Sequence, residues 1–328
     1  MSDKKSEPSP EKANLDALRL PGGQAAQTEI LDKAAAGDID ALLLLDMHGF
    51  IMGHSESPEE FVARLRTLAN KLDKMQRQLN KDGKFEIDDV TVYARDRIPD
   101  KLFGEAKEST SSLFGFSIDW VPGFFIDPFF LFGGCAFTYY PDFFAMFIIR
   151  RSFRHSPKWF IYKRKELLAH ELCHIARIGL ESERFEETFA YQTATSSFRR
   201  LLGGVFLKPM DSYLLLGSAF LLLLGQFLRI YLFPALPIAP FWGIIALSIL
   251  WLALRYMHLM NLLKNAQNKM ALLWGDNAMK ALFRSSDKEI RTWASFKGKA
   301  EAEAWLEKQG VRWKVISKLA DERGCCKT

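Results

Sequence analysis

The apolar positions along this chain change their spacing several times, and each change marks an element. Residues 27–79 carry the three- and four-residue periodicity of amphipathic helices. Within them Ser57-Pro58-Glu59-Glu60 reads as a helix start, with a hydroxyl cap, proline at the first position and glutamate at the third. Residues 85–97 alternate apolar and polar side chains in places. Residues 135–140 and 143–151 are short aromatic or β-branched runs divided by Pro141-Asp142, so these segments are expected to form the sheet. The intervening stretch, 114–149, is crowded with phenylalanine, yet Asp119, Asp127, Asp142, Pro122, Pro128 and Pro141 interrupt it too often for a membrane span. Core and strand edges are its first reading; an aromatic substrate groove or a surface dipping into a membrane interface is the second. Residues 159–178 place Leu167, Leu168, Ile175 and Ile178 on one helical stripe, with Gly179 positioned to end the helix.

Two later segments are apolar all round. Residues 213–233 are broken only by Gln226 and Arg229, and at 1.5 Å per residue they extend roughly 30 Å, the thickness of a bilayer core. Residues 238–257 form a second such segment, with Trp242, Trp251 and Tyr256 near its ends, where interfacial aromatics sit. The proline-rich, uncharged residues 234–240 join them as a tight connection, which predicts a transmembrane helical hairpin. Residues 264–328 are charged and helical, with Trp293, Trp305 and Trp313 available to pack a small module. The expected organisation is a disordered amino end at 1–26, a mixed domain at 27–207, a hairpin at 208–260 and a cytoplasmic helical module at 261–328.

Charge refines this outline. The net charge is +5 and the isoelectric point about 8.9, but the basic residues sit beside the spans and along 150–165. They are not interleaved with aromatics, so the expected partner is the lipid bilayer and not nucleic acid. Arg199, Arg200 and Lys208 precede the first span, Arg255, Lys264 and Lys269 follow the second, and the loop between is uncharged; both termini are expected in the cytoplasm, at an inner or plasma membrane. Residues 1–14 are polar and proline-bearing, without the apolar centre of a secretory signal. Cys135, Cys173, Cys325 and Cys326 show no disulfide spacing and suit a reducing compartment. Cys173 reads as a small core residue.

Candidate chemistry concentrates in His170-Glu171-Leu172-Cys173-His174. Residues four apart share a helix face, so His170 and His174 can direct ring nitrogens at one ion. Glu171 is turned by about 100° and falls beside the metal, as a general base on zinc-held water. Hydrolytic zinc takes three protein ligands and keeps one position open. The next segment, starting near Ser182 as an N-cap, reads as a second helix. If the two helices turn back on each other between Leu180 and Glu181, Glu187 lies level with His174 and Tyr191 with His170. Glu186 points about 100° away from Glu187, and Glu183 in the first turn suits the helix dipole. His48 and His54, flanking a glycine-containing turn, read as ordinary turn histidines.

These residues resemble the gluzincin class of zinc metallopeptidases, in which an HExxH helix is followed by a helix bearing a glutamate ligand, often with a small residue three positions on. The counterparts are His170, Glu171, His174, Glu187 and Ala190, over about 35 residues of the chain. The resemblance implies Zn2+, peptide-bond hydrolysis and a small sheet whose edge strand holds the substrate. The interval between His174 and Glu187 looks like the minimal, membrane-associated or single-domain forms. The expected fold is therefore α+β, a zincin-like catalytic domain with a two-helix transmembrane hairpin and a helical carboxy-terminal module.

The expected function is a membrane-tethered zinc-dependent metallopeptidase cleaving peptide or protein substrates on the cytoplasmic side. Glu171 is its general base, and Tyr191 is a candidate donor to the oxyanion. One alternative resembles peptide deformylase, with Cys135 in Gly133-Gly134-Cys135-Ala136 as third zinc ligand. Another is a non-enzymatic membrane adaptor.

Overall fold

A computed structural model of the chain describes residues 14–88, 90–127, 133–139 and 144–321. The fold is α+β and 66% helical, with small sheets. It divides into two units, the first running to Glu181 and resuming at Lys308, the second covering Ser182–Glu307.

Helices α1 (Gln24–Ala35), α2 (Ile39–Met47) and α3 (Pro58–Asp82) open the first unit. The start of α3 is the expected capping box: Ser57 accepts from the Glu60 N–H, and the Glu60 carboxylate accepts from the Ser57 N–H. Apolar side chains from Phe61 to Leu79 recur at helical spacing and are buried. Strands β1 (Lys84–Ile87) and β2 (Val90–Tyr93) form a hairpin. Helix α4 (Asp100–Phe114) then leads to a three-stranded sheet of β3 (Gly123–Ile126), β4 (Gly134–Tyr139) and β5 (Phe144–Arg150). Strand β5 is central, parallel to β3 and antiparallel to β4, and is buried from Phe144 to Ile149. Phe114, Phe116, Phe124, Phe125, Phe144 and Phe147 are all buried, so these positions of the phenylalanine-rich stretch are core, while β4 is only partly buried; residues 128–132 and 140–143 lie outside the described residues.

A miniature hairpin, β6 (Lys158–Trp159) and β7 (Tyr162–Lys163), precedes α5 (Arg164–Arg177). The helix expected from 159 thus begins later, because residues 158–163 pair with each other. Its end also differs. A 3-10 turn, Ile178–Leu180, follows α5, and Glu181 takes the left-handed conformation with φ +48°. Gly179 serves close approach: a Cβ there would lie 3.2 Å from both the Arg64 guanidinium and the Ile51 carbonyl.

The second unit contains α6 (Glu186–Tyr191), α7 (Ser197–Gly203), α8 (Pro209–Tyr231), α9 (Ala239–Trp274), α10 (Ala278–Phe283), α11 (Asp287–Ser295) and α12 (Lys299–Leu306). Helices α8 and α9 are long and apolar enough to cross a membrane, and their most apolar windows are only 17% buried, unlike the core helices of a soluble protein. They pack through small residues. A Cβ on Gly225 would meet the Phe241 ring at 3.0 Å, and Ser218 and Ser248 are buried. Asp211 locks one end, accepting from the Leu207 and Lys208 N–H groups and from both Arg255 terminal nitrogens at 2.7 Å. Helix α9 extends well past the expected end at 257, since no glycine or proline follows until Gly275.

Two expected boundaries are corrected. Order begins by residue 14, not 27: Leu15, Leu18 and Leu20 are buried, and a 3-10 turn at Leu15–Leu18 packs against α3. Residues 1–13 and 322–328, the latter including Cys325 and Cys326, lie outside the described residues. The module expected at 261–328 is split. Trp274, Trp293, Phe296 and Trp305 cluster in the second unit, with ring centroids 5.3 to 5.9 Å apart. Helix α13 (Val311–Asp321) instead belongs to the first unit, where Arg312 donates to the Met52 carbonyl, Lys318 pairs with Asp40 and Trp313 is buried.

Arg164 fixes the start of α5. It is buried, contacts both Glu105 oxygens of α4 at 2.6 and 3.0 Å, and donates to the Phe153 carbonyl. Arg164→Met strands these acceptors and is expected to lower unfolding free energy by about 1–3 kcal/mol, the range being reduced because Glu105 is 34% exposed. Glu105→Gln loses less. Denaturation in detergent checks this, and an unchanged midpoint for Arg164→Met contradicts it.

Candidate metal centre

Helix α5 is buried around almost its whole circumference. Between Glu166 and Arg177 the two positions left partly open are His170 and His174. One turn apart, they stack along a single stripe, with ring centroids 5.0 Å apart and planes at 75°. Their Nε2 atoms lie 3.3 Å apart. Two nitrogens bound at the usual zinc distance in a tetrahedron are separated by about 3.3 Å, so the rings already stand at ligand spacing.

Glu171 is turned off that stripe and buried, and its Oε2 accepts from the Ala136 N–H of β4 at 2.9 Å. Sheet register explains why this donor is available. Ala136 faces Phe147, whose own N–H is directed across to the Pro122 carbonyl. Alternation in the ladder then turns the Ala136 N–H away from β5, to the outer side of the edge strand, where Glu171 takes it. The carboxylate is thus tied to β4 beside the histidine stripe.

Glu187 and Tyr191 lie on α6, which starts later than expected. Ser182 does not cap it; Phe185 occupies that position without a side-chain bond. The Ser182 hydroxyl donates to Asp287 Oδ1 at 2.5 Å, and Asp287 Oδ2 accepts from the Glu183 and Arg184 N–H groups. Asp287, at the start of α11, therefore captures the segment that sequence assigned to the helix. Glu183 pairs with Lys208 at 2.7 Å. Phe189 is buried edge-on against Phe283, with centroids 5.6 Å apart, and the Tyr191 ring lies on Gly203, where a Cβ would come within 2.1 Å of it. Glu187 remains partly exposed. His170 and His174 belong to the first unit and Glu187 to the second.

Cys135 lies on β4 and is partly buried. Its thiol is pushed up to about 12, first by burial and then by the negative charge of Glu171. His48 Nδ1 is 2.9 Å from the Leu44 carbonyl, and its own carbonyl accepts from Trp120 Nε1. The Ala136 amide and Asp287 carry no signal in the sequence: the first acts through its backbone, and the second is 105 residues from the hydroxyl it holds.

Comparison with known proteins finds no matching family model, no similar curated protein and no similar solved structure.

A thiol whose value stands near 12 instead of 9 carries about a thousandfold less thiolate at pH 8. Cys135 is therefore expected to alkylate two to three orders of magnitude more slowly than an unperturbed thiol (about 10²–10³-fold) until alkaline pH is reached. Mass-spectrometric alkylation kinetics across pH 7 to 11 read this out. Rapid modification of Cys135 at pH 7 contradicts the assignment.

Proposed function

We propose that the chain is a membrane-tethered zinc metallopeptidase with a zincin-like catalytic region, ligated by His170, His174 and Glu187 and working on peptide or protein substrates at the cytoplasmic face. The observation that carries this reading is the 3.3 Å approach of the two imidazole nitrogens on the one open stripe of a buried helix. Two imidazoles and a carboxylate match the borderline donor preference of zinc and leave a fourth position for water. When bound, zinc supplies Lewis acidity, polarising the scissile carbonyl and acidifying a water.

The remaining work falls to the chain itself. Glu171 accepts a proton from the attacking water at its carboxylate and passes it to the departing amine, which closes the proton balance. The Ala136 N–H orients Glu171 for this, and it does so from an edge strand whose outward groups can align an extended peptide. The Tyr191 hydroxyl is the candidate donor to the developing oxyanion. The apolar helices α8 and α9 support the tether, and the basic residues flanking them support cytoplasmic termini. A deformylase-like site using Cys135 is the less favoured reading, because its protonated thiol is a poor ligand before metal arrives.

Metal analysis with a fluorogenic peptide assay tests the reading. Glu171→Gln is expected to retain zinc while hydrolysis falls at least about a hundredfold. Glu187→Ala is expected to lose zinc, and Cys135→Ala to keep it. Wild-type turnover in Glu171→Gln contradicts the mechanism. Zinc release from Cys135→Ala favours the deformylase-like ligand set, and stoichiometric zinc without hydrolysis favours the adaptor.

A further inference from the structure

The two-residue turn between β6 and β7 exposes the wrong residues for an ordinary hairpin. Phe160 is 67% and Ile161 is 57% exposed. Phe160 also has φ +50°, a conformation that such turns normally give to glycine or asparagine. A bulky apolar ring is thus held where both its backbone and its contact with water are unfavourable. Immediately below the tip, Trp159 stands opposite Tyr162, their planes 8° apart with centroids separated by 6.1 Å, and the Arg150 guanidinium covers the Trp159 ring at 4.3 Å. These contacts stiffen the projection.

The collar is equally unusual. Lys158 is directly opposite Lys163 in the ladder, and like charges in that position repel. Lys163 approaches Glu166 at 3.1 Å while half of its side chain stays exposed. The apolar tip and the like-charge opposition of the two lysines are both unfavourable in the isolated fold, even with Lys163 paired to Glu166, and an anionic, partly apolar surface relieves both.

We propose that residues 158–163 form an interfacial finger that inserts Phe160 and Ile161 into the headgroup–acyl boundary of a bilayer containing anionic phospholipid. Lys158 and Lys163 lie at phosphate level, and Trp159 and Tyr162 lie in the zone that amphipathic aromatics prefer. The occupant is lipid because the tip is apolar, its rim is cationic and the chain carries two helices suited to a membrane. The inference does not depend on the hydrolase reading. Where both hold, the finger anchors the start of the histidine helix, since β7 ends where α5 begins.

The test uses the full chain with its four cysteines replaced and a single environment-sensitive label at Phe160→Cys, reconstituted in phosphatidylcholine vesicles with or without phosphatidylglycerol. A label at Lys33→Cys, an exposed position on α1, is the control. With phosphatidylglycerol the emission at 160 is expected to shift to the blue and to be quenched by spin-labelled lipid, while position 33 does not respond. Lys158→Glu combined with Lys163→Glu is expected to abolish the shift. In the chain with its native cysteines, amide exchange across 158–163 is expected to slow only in the anionic vesicles. Labels equally wet at 160 and 33 in both vesicles overturn the proposal. So does a shift at 160 that requires an added peptide, which assigns the tip to protein contact.

Discussion

The one-turn separation of two imidazoles on an otherwise buried helix is the constraint from which the rest of the site follows. A helix free to rotate scatters its side chains, whereas α5 has little freedom. Arg164 ties its start to Glu105 of α4, Glu171 ties its middle to the β4 amide, and the apolar side chains around it are in the core. Rigid elements that hold functional groups within fractions of an ångström are what a metal centre requires. The histidines meet because helical geometry demands it, and they face outward because every other direction is filled.

Local chemistry made part of this legible in the amino-acid sequence. The Ser57 capping box, the strand pair around Pro141-Asp142 and the spacing of His170 and His174 all act over a few residues, so their signals are intact in the linear chain. The features that escaped are long-range or carried by backbone. Ser182 looked like a cap and is instead bound by Asp287. Arg312 reaches the Met52 carbonyl across 260 positions, which returns the last helix to the first unit. The Ala136 amide is directed by ladder register and has no side-chain trace. The length of α9 was readable from its stop signal, Gly275, but not from hydropathy, because the helix continues after its apolar stretch ends.

Two of the exposed apolar surfaces differ in kind. Those on α8 and α9 are continuous over long helices and pair through Gly225, Ser218 and Ser248, with an Asp211–Arg255 clamp at one end. The surface at Phe160 and Ile161 is small, strained and ringed by cations. The former suits a bilayer interior, where hydrogen-bonded helices carry no exposed amide groups, and the latter suits an interface, where polar and apolar chemistry alternate over a few ångströms.

Zinc-edge X-ray absorption on the purified, zinc-loaded chain tests the central claim most directly, because it counts the donor atoms. The account predicts a first shell of light atoms only, nitrogen and oxygen at about 2.0–2.2 Å, with the multiple-scattering signature of two imidazoles. A sulfur shell at about 2.3 Å, or a chain that retains no zinc, contradicts it.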